Sequence, residues 1–113
     1  MSLPDYVNHR PQSLPQGVVA YRRTGEFDQD TMPAKMRNAH STKPGVWALI
    51  HVLEGQLRYS VPSWGEDVIL VPGTPGIVAP TVEHNVEPHG AVRMFVEFYA
   101  APDQGPTDPH TQA

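Results

Sequence analysis

Residues 44–61 read Pro44-Gly45-Val46-Trp47-Ala48-Leu49-Ile50-His51-Val52-Leu53-Glu54-Gly55-Gln56-Leu57-Arg58-Tyr59-Ser60-Val61. A Pro-Gly pair opens the stretch. The run from Val46 to Leu53 is almost continuously apolar, rich in β-branched and aromatic residues and of strand length, which suits a strand buried on both faces. Glu54-Gly55 predicts a turn. Beyond it Leu57, Tyr59 and Val61 alternate with polar residues at period two, so they share one face of a second strand.

The same punctuation continues on both sides. Gly17 to Arg23 is a short β-rich run, and 24–32 is polar and turn-like. Pro62 to Asp67 predicts a loop, and Val68 to Val71 a strand stopped by Pro72-Gly73. After Pro75-Gly76, short strands are expected at Ile77 to Ala79 and His84 to Val86, with a turn at Pro88-His89-Gly90 and a last strand from Ala91 to Tyr99. Six or seven strands about 8–12 residues apart predict an all-β sandwich or barrel. Proline agrees: 13 of 113 residues leave little room for long helices, because each removes a donor and clashes with the preceding turn. Three segments are expected: an extended arm over 1–17, the β domain over 18–100, and a disordered Pro-rich tail over 101–113.

Composition excludes several function classes. There is no cysteine, hence no disulfide scaffold, thiolate metal site or cysteine nucleophile. The longest apolar run falls far short of the roughly 20 residues of a membrane span, and no signal peptide is visible, so no membrane role and a cytoplasmic location are the default expectations. A net charge of −4 argues against general nucleic-acid binding. The charge is uneven: residues 1–45 hold six Lys and Arg against four acids, and residues 46–113 two against eight. Part of that basic surface could attract an anionic ligand to a pocket mouth.

Of six histidines, His9, His89 and His110 lie in the arm, a turn and the tail. His40, His51 and His84 remain as metal candidates, since a barrel site needs imidazole or carboxylate groups brought together from different strands.

The run from His40 to Leu57 resembles the first motif of the cupin family, and Gly76-Ile-Val-Ala-Pro80-Thr-Val-Glu-His84-Asn85 resembles the second. A narrower likeness, over about residues 3–100, is to YeaR-like proteins and the N-terminal domain of TehB-type tellurite-resistance proteins. It rests on Leu3-Pro4, Arg23-Thr24 with Phe27, Pro33-Ala34, His40 with Lys43-Pro44-Gly45-Val46, Leu53 to Tyr59, Pro80 with His84-Asn85, and Val96-Glu97-Phe98-Tyr99. The resemblance implies a single cupin-type, jelly-roll-like β-barrel, a metal site inside it and a homodimer, to which Trp47 and Leu49 would add apolar strand surface.

The ligand pattern is thinned. Thr42 stands where the motif usually has a second histidine, and Ala48 where it has a glutamate. His40 and His84 remain. Glu97 is the expected third ligand if the face of Phe95, Glu97 and Tyr99 lines the cavity; the alternatives are a pair with Arg58 or Arg93, or an exposed edge position. His51 is expected to face away, opposite to Ala48. Two imidazoles and a carboxylate suit zinc with bound water or non-haem iron(II), and Lys43 and Arg58 are the expected contacts to an anionic small molecule. The functional expectation is a small metal-binding, tellurite-resistance-related cupin acting on or binding such a molecule. The alternative is a non-catalytic ligand- or metal-binding stress-response module.

Overall fold

Strand β3 (Trp47–Val61) is a single strand of 15 residues, and its partner β6 (Asn85–Ala100) runs for 16. They pair antiparallel from Trp47 opposite Tyr99 to Ser60 opposite Asn85. The structure, a computed structural model, describes residues 4–102. Around the β3–β6 ribbon lie β1 (Val19–Arg23), β2 (Phe27–Asp28), β4 (Glu66–Leu70) and β5 (Gly76–Val78). The sheet order is β1-β6-β3-β4, with β2 on β6 and β5 on β3. All described pairings are antiparallel. A short helix α1 (Ala34–Arg37) links β2 to β3. The architecture is all-β, as the spacing of strands and turns predicts. Among the described residues no helix is long and apolar enough to cross a membrane.

Two expected turns lie inside strands. Glu54-Gly55 does not reverse the chain, and neither does Pro88-His89-Gly90. Both sit where the ribbon slips register: Gly55 pairs with Val92, yet Leu57 pairs with Pro88. One β3 residue therefore spans three on β6, and His89, Gly90 and Ala91 bulge outward, exposed. A bulge bends a strand without ending it. Gly55 fits the bend because its φ is +79°, and a Cβ there would collide with the Ala91 carbonyl oxygen and stand 3.0 Å from Val92 Cα. Local sequence could not separate this bulge from a hairpin, since both ask for glycine with positive φ.

Alternation sets the core. On β3, Ala48, Ile50 and Val52 point inward, and Leu57, Tyr59 and Val61 continue the face beyond the bulge. On β6, Val92, Met94, Val96 and Phe98 do the same. Leu57 and Met94 are fully buried, the position that gains most from leaving water.

The N-terminal segment docks on its own barrel. Pro4 leads into a 3-10 turn over Asp5–Val7. The Tyr6 ring meets Trp47 edge-on at 5.1 Å, and Trp64 Nε1 donates to the Tyr6 carbonyl at 2.6 Å. Arg10 pairs with Glu66 at 3.3 Å. Trp47, expected at an interface, is thus covered in part by the chain itself. The expected tail falls outside the described residues, apart from Ala101 and Pro102.

Candidate functional site

His40 and His84, 44 positions apart in sequence, form an isolated antiparallel bridge: His40 N–H donates to the His84 carbonyl at 3.0 Å, and His84 N–H to the His40 carbonyl at 2.8 Å. Their rings lie 5.5 Å apart, nearly perpendicular. Both line one cavity of about 350 Å³. Its apolar wall is Ala48, Ile50, Val78, Met94, Val96 and Phe98. The inward face of the β3–β6 ribbon therefore builds the wall, and the segment from Arg22 to Met36 covers one side. That segment is tied down by Thr24, whose hydroxyl oxygen accepts the Val96 N–H at 2.9 Å, and by Gln29, whose side-chain oxygen accepts the Val92 N–H at 3.1 Å.

His84 is 8 % exposed. Burial lowers its pKa to about 4, with the neighbouring His40 acting the same way and the bond to Val82 opposing. The ring is therefore neutral near pH 7. Its Nδ1 lies 3.1 Å from the Val82 carbonyl. A carbonyl oxygen only accepts, so Nδ1 carries the proton and Nε2 keeps a lone pair. Tyr59 packs edge-on against the same ring at 6.0 Å, with its hydroxyl donated to the Ile77 carbonyl at 2.6 Å and its phenol pKa pushed up by burial.

Thr42 and Ala48, the two positions where the family pattern carries ligands, both line the cavity and are almost fully buried. Thr42 donates its hydroxyl proton to the Val46 carbonyl at 2.7 Å.

Glu97 does not join the histidines. Strand alternation puts Met94, Val96 and Phe98 inward, so Phe95, Glu97 and Tyr99 take the other face. There Glu97 Oε1 accepts the Tyr99 hydroxyl at 2.7 Å and lies 3.6 Å from His51 Nε2. Burial, then the bond to Glu97, pushes the Tyr99 pKa up to about 12. His51 stacks on Phe95 at 4.7 Å, facing away from the cavity as expected. The expectation for Glu97 took the wrong face of β6. Alternation by itself did not choose between the faces, because Phe95, on the side of Glu97, is large, apolar and buried as well.

Arg58 is also elsewhere. It sits outward on β3, bonded to Asp67 at 2.7 and 2.9 Å and 3.9 Å from Glu87. Lys43 is exposed in the turn before β3 and does not line the cavity. The cations that do are Arg22, Arg23 and Lys35, which sequence reasoning passed over. Arg23 turns its guanidinium outward over Phe95, 4.1 Å from the ring centre. The Arg22 guanidinium lies 5.7 Å from the centre of the Phe98 ring, which belongs to the cavity wall. Arg22 and Lys35, both exposed, thus form a cationic rim. No Asp or Glu lines the cavity among the described residues.

A metal in this cavity would have two imidazoles as protein ligands. Among the described residues no group of three or more His, Cys, Asp or Glu could hold a metal ion. His84 has the features of a ligand, a lone pair on one nitrogen and a carbonyl partner on the other. The expected three-residue set, however, is not assembled.

Solved structures share the fold. A protein from E. coli (strain K12) superposes with a TM-score of 0.72 at 22% identity, over 81% of this chain and 99% of the other. TehB from Haemophilus influenzae gives 0.70 at 23% identity, over 76% of this chain but 32% of TehB, so the likeness takes in about a third of that protein. A cupin-2 domain containing protein from Shewanella frigidimarina aligns more loosely, at 0.47 and 16% identity over 79% of each chain. Comparison with curated proteins finds no match. The model of the TehB-like domain matches residues 22–96, from the rim arginine into the last strand. That span is well over half of the sequence, and the chain belongs to the TehB-like domain family.

Proposed function

We propose that this barrel is a binding module for a small anionic molecule, held in the cavity between His84 and the rim formed by Arg22 and Lys35. The observation that carries the reading is charge segregation. The chain has a net charge of −4, yet among the described residues the charged side chains lining its cavity are all cations. Cations at the mouth of a low-dielectric cleft focus the field and raise the local concentration of anions. The apolar wall would take the rest of the ligand, as in most small-molecule sites. Among the described residues no carboxylate stands by the ligand, since Glu97 faces away and Glu83 does not line the cavity, and the reading is therefore one of binding.

The test compares small carboxylates with their neutral amides, benzoate with benzamide and hexanoate with hexanamide, by thermal shift and calorimetry. Carboxylates should raise the melting temperature and amides should not. The gain should shrink with salt and in Arg22→Gln and Lys35→Gln. Equal effects of acid and amide, or no response to any carboxylate, would refute the reading.

A second reading follows from the tautomer of His84: a divalent ion, zinc or iron, held by His40 and His84, with its other positions left to water or to the bound molecule. Elemental analysis of protein purified without added metal tests it. His40→Ala and His84→Ala should each abolish retention, and full metal content in either variant would exclude the site.

A further inference from the structure

The lone pairs inside the cavity say more about the ligand than the charges at its rim. The His84 ring has spent its proton on the Val82 carbonyl, and Thr42 has spent its hydroxyl proton on the Val46 carbonyl. Each of these carbonyls can only accept, so neither proton can turn into the cavity without abandoning a buried acceptor. His84 Nε2 and Thr42 Oγ1 thus offer lone pairs and no donor. The aliphatic and aromatic side chains around them, Ala48, Ile50, Val78, Met94 and Phe98, offer no polar atom except the Met94 sulfur, a weak acceptor. The His40 ring, 5.5 Å from that of His84, lines the same cavity and, as an imidazole, carries an N–H. An anionic oxygen placed against the His84 and Thr42 lone pairs would lose its water and meet only repulsion from those two atoms. A hydroxyl or amine at the same place would replace its water with two protein acceptors.

We infer that the molecule bound here is bifunctional: a negative charge that stays at the rim with Arg22 and Lys35, an apolar middle, and a hydroxyl or amine at the far end that donates to His84 and Thr42. The inference rests on the anion-binding reading above and deepens it. It favours hydroxy- and amino-carboxylates over compact oxyanions, which have no donor to offer once fully ionised. It also gives Thr42 a role, because the threonine hydroxyl is held as an acceptor by its own backbone bond.

The experiment uses the full chain, dialysed against a chelator, and matched acids with and without the terminal donor: 4-hydroxybenzoate against benzoate, and 6-hydroxyhexanoate and 6-aminohexanoate against hexanoate. The donor-bearing member should bind about tenfold tighter or more, the size expected for a buried polar group left unpaired. That preference should collapse toward unity in His84→Phe and in Thr42→Val, each checked for its β-sheet circular dichroism. Equal affinity within each pair would overturn the inference and leave the anion-binding reading standing. A preference that survives both substitutions would overturn it as well. A preference that appears only after zinc is added back would assign the lone pairs to a metal ion and overturn it. Failure of every acid to bind would remove the anion-binding reading and this inference together.

Discussion

Replacing Gly55 by alanine tests the bulge that lets β3 and β6 bend together. Two costs act at this position. The first is conformational: φ is +79°, and an L residue in the left-handed region costs about 1–2 kcal/mol. The second is steric. The new Cβ would fall on the Ala91 carbonyl oxygen and 3.0 Å from Val92 Cα. These are backbone atoms, which cannot rotate away as a side chain would. The ribbon would have to open, at about 1–3 kcal/mol if overpacking elsewhere is a guide. Gly45 supplies the control. Its φ is +81°, and a Cβ there meets nothing within 4 Å, so Gly45→Ala carries the conformational cost alone. Urea unfolding at equilibrium, extrapolated to water, measures both. Gly45→Ala should lose about 1–2 kcal/mol and Gly55→Ala about 2–5 kcal/mol, a large share of the 5–15 kcal/mol typical of a domain. Each kcal/mol should appear as roughly 4–8 °C of melting temperature. Equal losses would refute the reasoning, because they would mean that residue 55 sits at an open hairpin tip and not against β6.

Other outcomes follow from single contacts. Folded His84 stays neutral down to about pH 4, whereas an unfolded histidine titrates near 6.5. The unfolded state then binds more protons between these values, so stability is level above pH 6.5 and falls as pH drops through the window, by on the order of 3 kcal/mol from this group. His84→Phe should flatten that limb in pH-dependent denaturation, and an unchanged slope would mean that the ring is not buried neutral. Trp64→Phe removes the donor to the Tyr6 carbonyl and should cost about 1 kcal/mol, with faster proteolysis of the first ten residues; unchanged proteolysis would show that the contact does not hold the segment. Arg58→Ala and His51→Ala, on the outer faces, should leave carboxylate binding as it is, and a large loss from either would place the ligand outside the cavity.

Much of this protein was legible before any coordinate. Proline and glycine spacing gave the all-β class, because those residues limit where strands can start and stop. The two histidine motifs pointed to a shared hollow, and His40 and His84 do meet there through a backbone bridge. The inward setting of Ala48 was implied by the family likeness, and the outward setting of His51 followed from it by period-two alternation along one strand. The strand class and the alternation rest on local geometry, which neighbouring residues dictate to one another, whereas the meeting of the two histidines was implied by the family likeness.

What the sequence could not settle was which partner each strand face meets. The face of β6 was left undecided by local pattern, and with it the place of Glu97, because the choice depends on pairing with β3 far away in the chain. The turn at Glu54-Gly55 became a bulge for the same reason: only the opposing backbone at Ala91 distinguishes the two. The rim cations Arg22 and Lys35 come from β1 and α1, segments with no motif of their own, brought to the cavity by the ties of Thr24 and Gln29 to β6. Alternation and turn chemistry are written in adjacent residues, and so the sequence carries them. The inside of a barrel is defined by closure, which links residues dozens of positions apart, and so it exists only in the folded chain.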